Sequence, residues 1–200
     1  MRPMLALWLL VAASGVSMAQ ELLDRTLALV GGQPITLSDT RAAIALGLID
    51  APGADDAVTQ LIRRELILRE VQRYAPAAPP ETAVDARLAE IARKFRDAAA
   101  MARVLEAHAF SEIRLRTWIR DDLRTDAYLA QRFASASAPT DTEISAAYAR
   151  SRAEFDARGL TFEQAVPILR ERVSASRRNE LIADWVSDLR RRTEVVMLQR

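Results

Sequence analysis

The sequence predicts a mainly α fold, several helices carrying a small β-sheet built from an N-terminal hairpin and a C-terminal strand. Three observations predict it. Half of the 200 residues are apolar, enough for a packed core, and only six are glycine against abundant alanine. Thr36, Thr140 and Thr161 each stand three residues before Asp, Glu or Gln at the head of an apolar pattern, the mark of a helix start. Short strand-like runs lie near both ends, at 26–30 and 194–198.

Residues 25–36 read as a hairpin in which Leu27 and Leu29 alternate with Thr26 and Ala28 around the turn Gly31-Gly32. A helix then runs from Leu37 to Leu48 or Ile49 and stops at Asp50-Ala51-Pro52-Gly53. The next spans about Asp56 to Tyr74. Its apolar residues fall on two sides, with Leu61, Leu68 and Val71 on one and Val58, Ile62 and Leu66 on the other, so it packs centrally between neighbours. A proline-rich stretch to Pro80 leads to a helix from Glu81 with Val84, Leu88, Ile91 and Phe95, and a short one follows over Ala98 to Ala107. Ser111-Glu112 opens a long helix to Phe133, where Asp122 and Asp126 interrupt an apolar arc. After a small-residue linker at 134–139, a helix carries Ile144, Ala147, Tyr148 and Phe155, with a turn over Asp156 to Leu160. Thr161 opens the last helix, where Pro167 sits early enough to be tolerated. Glu194 to Leu198 closes the chain as a strand whose natural partner is the N-terminal hairpin, since an isolated hairpin is marginal in water.

The first 19 residues are expected to be a secretory signal peptide. Arg2 precedes ten apolar residues from Met4 to Ala13, and Ser17-Met18-Ala19 places small residues at a cleavage site. The apolar run is about half the ~20 residues a membrane span needs, so stable membrane insertion is not expected. Cleavage after Ala19 removes one base and no acid, leaving residues 20–200 as a single helical domain with 27 basic and 27 acidic groups. Nucleic-acid binders show a strong basic excess; a nucleic-acid partner is not expected. With no cysteine, disulfides, thiolate catalysis and iron–sulfur clusters are excluded, and the single His108 cannot build a multi-histidine metal site. No cofactor or metal is expected.

In its order of segments the chain resembles the SurA-like periplasmic chaperones and their parvulin-type peptidyl-prolyl isomerase relatives. Leu23-Asp24-Arg25 through Leu29-Val30, with Gly32 to Asp39, resembles that family's opening strand, turn and helix cap. Gln60 to Leu68 resembles its second helix, and Leu115 to Arg120 with Tyr128 to Phe133 its long helix. Thr140 to Ile144 resembles the lead into the isomerase module, and Trp185, Leu189 and the terminal strand resemble the C-terminal segment. The departure is as informative. A parvulin module of ~90 residues would stand between Phe155 and Thr161, where only Asp156 to Leu160 is found. The resemblance therefore implies a periplasmic chaperone holding unfolded, nascent exported or outer-membrane-bound polypeptides, without the isomerase. The alternatives are a structural or scaffold subunit with one fixed protein partner and, at lower weight, a residual peptidyl-prolyl isomerase.

The residues add little chemistry. His108 has no partner in a motif, and a general base needs one. Asp122 and Asp126, four apart on a helix, lie side by side as a carboxylate pair would, but abundant arginines favour a paired or solvated role. Asp55-Asp56 reads as a helix N-terminal pair. Neither a phosphate loop, nor Gly-x-Ser-x-Gly, nor His-Glu-x-x-His occurs. Binding remains. Leu46, Ile49, Met101, Phe110, Trp118, Tyr128 and Trp185 are the candidates to line an apolar groove for peptide, against the simpler reading of each as core.

Overall fold

The computed structural model describes residues 24–198; the expected signal peptide lies outside them. The described residues form three strands and eight helices: β1 (Thr26–Val30), β2 (Gln33–Thr36), α1 (Leu37–Ala45), α2 (Ala54–Tyr74), α3 (Glu81–Ala92), α4 (Ala98–Ala107), α5 (Glu112–Phe133), α6 (Asp141–Arg150), α7 (Arg152–Ala157), α8 (Phe162–Arg192) and β3 (Val195–Met197). The fold is mainly helical with one small antiparallel sheet in the order β2-β1-β3, so the two ends of the described chain meet in one sheet.

Gly31 and Gly32 form the β1–β2 turn at φ +54° and +85°, a left-handed pair that suits glycine. A side chain at Gly31 would also run into the Arg69 guanidinium, 2.6 Å from the position of its Cβ. Thr36 caps α1 by accepting from the Asp39 N–H at 3.2 Å. The reciprocal half of the expected capping box is not used, because the Asp39 carboxylate pairs with Arg114 of α5. Thr140 and Thr161 make both halves of theirs, with Glu143 and Gln164. Pro167 is accommodated in the second turn of α8 without ending it.

Several boundaries differ from expectation, among them the end of α3, which stops at Ala92 and leaves Phe95 outside the helix. Helix α1 ends at Ala45 rather than 48 or 49, because Gly47 turns left-handed at φ +61° and the Leu48 N–H closes back on the Ala43 carbonyl. Helix α2 starts two residues earlier than expected, at Ala54, with Gly53 in extended conformation before it. The helix expected through Phe155 is two, α6 and α7, broken at Ser151, whose φ and ψ of −106° and 14° leave the helical region.

Apolar side chains gather into three cores. The first joins the sheet to α2 and the end of α8 through Ala28, Val30, Leu61, Leu66, Val71, Trp185 and Leu189. The second joins α1, α3, α4 and α5 through Leu46, Val84, Ile91, Met101, Phe110, Leu115 and Ile119. Trp118 and Leu48 pack against both. The third is small and set apart on α6, α7 and the start of α8, with Ile144, Ala147, Phe155, Ala165 and Leu169. Helix α8 thus belongs to two cores, and between Arg170 and Leu181 it has no fully buried residue. The α6–α7 unit and the head of α8 form an arm.

Candidate functional site

Helix α5 lies between the first two cores, and its flanks carry the half-buried aromatic and charged side chains. On one flank, Arg64 of α2 stacks its guanidinium 3.7 Å from the centre of the Trp118 ring and donates from Nε to Asp122 at 2.8 Å. The cation–π contact and ion pair hold α2 to α5. Burial pushes the Asp122 carboxyl up more than the Arg64 charge and hydrogen bond pull it down. Burial likewise raises Asp121 against the pull of Arg64, and raises Asp126 against a weaker pull from Arg87. Asp122 and Asp126 border a cleft of about 550 Å³ between α3 and α5, walled by Leu48, Ile91, Ile119 and Leu123. This explains their place on an apolar arc: one is paired with Arg64, and the other faces the open cleft.

At the C-terminal end of α5 the side chains are aromatic. Tyr128 lies 5.5 Å from Tyr74, the last residue of α2, and 6.2 Å from Trp185 of α8, with Phe133 a further 5.9 Å from Trp185. Arg132 lies over the rings of Tyr128, Phe133 and Trp185 at 5.1 to 5.9 Å and donates to the Tyr128 hydroxyl at 3.2 Å. Burial raises the Tyr128 phenol, with Arg132 opposing. The local sequence explains the geometry. Helix α2 is capped by Ala75, left-handed at φ +42°, and Pro76 follows, so Tyr74 is held at the rim rather than carried inward. Tyr74 is 62% exposed. Tyr74, Tyr128 and Arg132, with Pro76 and Gln131, line an open cleft of about 530 Å³.

The seven candidate peptide-binding residues do not share one groove. Leu46, Met101 and Phe110 are buried in the second core and Trp185 in the first, each 8% exposed or less, so these four are core rather than lining. Their surface is already spent on neighbouring helices. Ile49, Trp118 and Tyr128 are half-buried, and Tyr128 alone of the seven opens onto the aromatic cleft. Sequence reasoning missed Tyr74 and Arg132. The signal for Tyr74 was its position as the last aromatic before a proline-rich break; for Arg132, its spacing of four from Tyr128 on one helix face.

The aromatic cleft offers contact surface. Aromatic faces and a guanidinium plane accept apolar or aromatic side chains in many orientations. His108 caps the end of α4 and is half-buried, away from the cleft-lining residues. Among the described residues no group of three or more His, Asp or Glu is placed to hold a metal ion, and no helix is long and apolar enough to cross a membrane. No protein-family model matches the chain, and no curated protein matches it either, so the functional reading rests on the site and on the sequence pattern.

Proposed function

We propose that the chain is an exported, periplasmic chaperone-type protein that holds unfolded or outer-membrane-bound client polypeptides without isomerase catalysis. The observation that carries the reading is the open aromatic cleft at Tyr74 and Tyr128. A largely exposed tyrosine stacked on a half-buried one, beside Pro76 and Arg132, is costly surface to leave uncovered in a molecule with three filled cores. Apolar contact is non-directional, so such a surface tolerates clients of many sequences. The client class and the compartment come from the resemblance to SurA-like chaperones. The reading without isomerase chemistry is supported by the short connection Arg158-Gly159-Leu160 between α7 and the Thr161 cap of α8, at the place where the resemblance would put a parvulin module.

The test is suppression of light scattering with two unrelated unfolded proteins as clients. The wild-type chain delays aggregation of both, and the double variant Tyr74→Ser, Tyr128→Ser loses most of the effect while keeping its helical spectrum. A single stoichiometric complex with one folded partner, and no protection of either client, overturns the reading in favour of a scaffold subunit.

A further inference from the structure

The two edges of the sheet are not alike. On the β2 side, Val30 pairs with Gln33 across the two-residue turn, so the backbone nitrogen of the next residue, Pro34, faces outward. Proline has no N–H to offer, and that edge is blunted. On the other side, the Gly31 N–H donates to Glu194 and the Leu198 N–H to Leu27. With Leu29 opposite Val196 in the same register, residues 194, 196 and 198 turn their backbone groups inward to β1. The N–H and C=O of Val195 and Met197 therefore face away from the sheet. Beside them, Val196, Met197 and Leu198 are 37%, 56% and 40% exposed, a consecutive run of large apolar residues on an unblunted edge. Met197 lies opposite the fully buried Ala28, on the face that packs on α2 beneath β1, yet is more than half exposed because the sheet stops there.

We propose that this edge accepts an extended polypeptide strand, antiparallel to β3, whose apolar residues alternate and whose C-terminal flank is acidic. The backbone groups of Val195 and Met197 supply its ladder bonds. An antiparallel strand carries its C-terminal flank past Thr193, the cap of α8 two residues before β3, towards the cleft of about 440 Å³ that Thr193 lines. There Arg69, Arg73 and Arg192 stand against the single carboxylate of Glu70, which accepts from Arg73 at 2.8 Å and from Arg192 at 3.1 Å. That excess of guanidinium selects the acidic flank. A second copy of the chain fits poorly as the occupant: strand-to-strand pairing over three residues, a contact about 10 Å long, buries only a small part of the ~1,200 Å² that stable interfaces bury. The proposal rests on the client-holding reading only for the source of the strand.

The probe is a short soluble peptide of alternating Thr and Val ending in two Asp residues, added to the purified full chain. The peptide is expected to slow hydrogen exchange at the Val195 and Met197 amides selectively. Methylating the peptide nitrogens that face β3 abolishes this; methylating those that face away does not. Replacing its Asp residues by Lys weakens binding at least tenfold. Met197→Pro removes an outward N–H without breaking a bond to β1, so it keeps the wild-type melting temperature within a few degrees and loses peptide protection at residue 195. Equal binding of the two methylated peptides overturns the proposal whether or not the proline variant folds. So does concentration-dependent self-association abolished by Met197→Pro, which assigns the edge to a second copy. Because the readout is a defined peptide at two amides, it stands or falls separately from aggregation suppression by the Tyr74 and Tyr128 surface.

Discussion

Replacing Phe155 by Ala is expected to melt the arm and leave the rest of the molecule folded. Phe155 is fully buried, stacked on Tyr148 with ring centres 5.8 Å apart and 20° between planes, and flanked by the guanidiniums of Arg158 and Arg172. Truncating a buried phenylalanine costs about 3–5 kcal/mol, the lost transfer energy plus the cavity left behind. The third core has only five fully buried apolar residues, of which Phe155 is the largest, and two of the others are alanines. A unit that small opens with far less free energy than the whole chain. The loss falls almost entirely on its own opening equilibrium, which shifts by roughly a hundred- to several thousandfold, at ~1.4 kcal/mol per factor of ten. The assay is native-state hydrogen exchange read by segment. Amides in 141–169 quicken by that factor, while those of Leu61 to Val71 in the first core change less than about threefold. Equal acceleration in both segments shows one cooperative unit and refutes the separation of cores.

Deleting Val195 to Arg200 removes β3 and uncovers the Leu27 and Leu29 side of β1; at ~2–3 kcal/mol it should lower the thermal midpoint by about 5–10 °C, and an unchanged midpoint denies the clasp between the two ends of the sheet. Asp126→Asn tests the raised carboxyl beside α3. A carboxyl whose folded pKa lies above its unfolded one keeps a proton the unfolded chain releases, so ionisation works against folding and stability falls as pH rises from the ordinary Asp value through the raised one. The variant should be more stable than wild type above that window, by less than about 1 kcal/mol for so exposed a group, and no more stable below it in urea titrations at both pH values. Ala75→Gly relieves a left-handed alanine at the end of α2 and should raise stability by a few tenths to about 1 kcal/mol, read from the urea midpoint. A standard proline-isomerisation assay should show no acceleration over buffer; a rate that survives repurification refutes the non-catalytic reading.

Most of the architecture was legible because it is written in local signals. The Thr-initiated caps at Thr140 and Thr161 located α6 and α8 to the residue, and the Asp97 cap precedes α4 over its expected span of Ala98–Ala107. The pairing of β3 with β1 was legible by elimination, since three short strands had only one another as partners. What was not legible depends on which face of an element meets which neighbour. Phe110 and Trp118 look alike as aromatic residues on either side of the Ser111 cap, yet one is 2% exposed and the other half-buried under Arg64. Periodicity says that a face is apolar; it does not say whether a second layer covers it. The same gap hid the α6–α7 break, because Ser151 is permissive in a helix and its departure is set by how Phe155 must turn back onto Leu169.

The span of α8 between the two cores has a mechanical side. The helix has 31 residues, about 46 Å at 1.5 Å per residue, anchored in the first core by Ile182, Trp185 and Leu189 and in the third by Ala165 and Leu169. From Arg170 to Leu181 no side chain is clamped on all sides. It behaves as a lever whose fulcrum is near Ile182. Gentle curvature comes at low energy in a long helix exposed to solvent, and a bend of about 10° at that point displaces Phe162, about 30 Å away, by about 5 Å. Arg177 is the stay on this lever, donating to the Ala138 carbonyl at 2.9 Å and pairing with Glu143 near the start of α6. Cutting that one guanidinium removes this tie without touching a core residue, and leaves the 134–139 linker and the stiffness of the helix to hold the arm to the body.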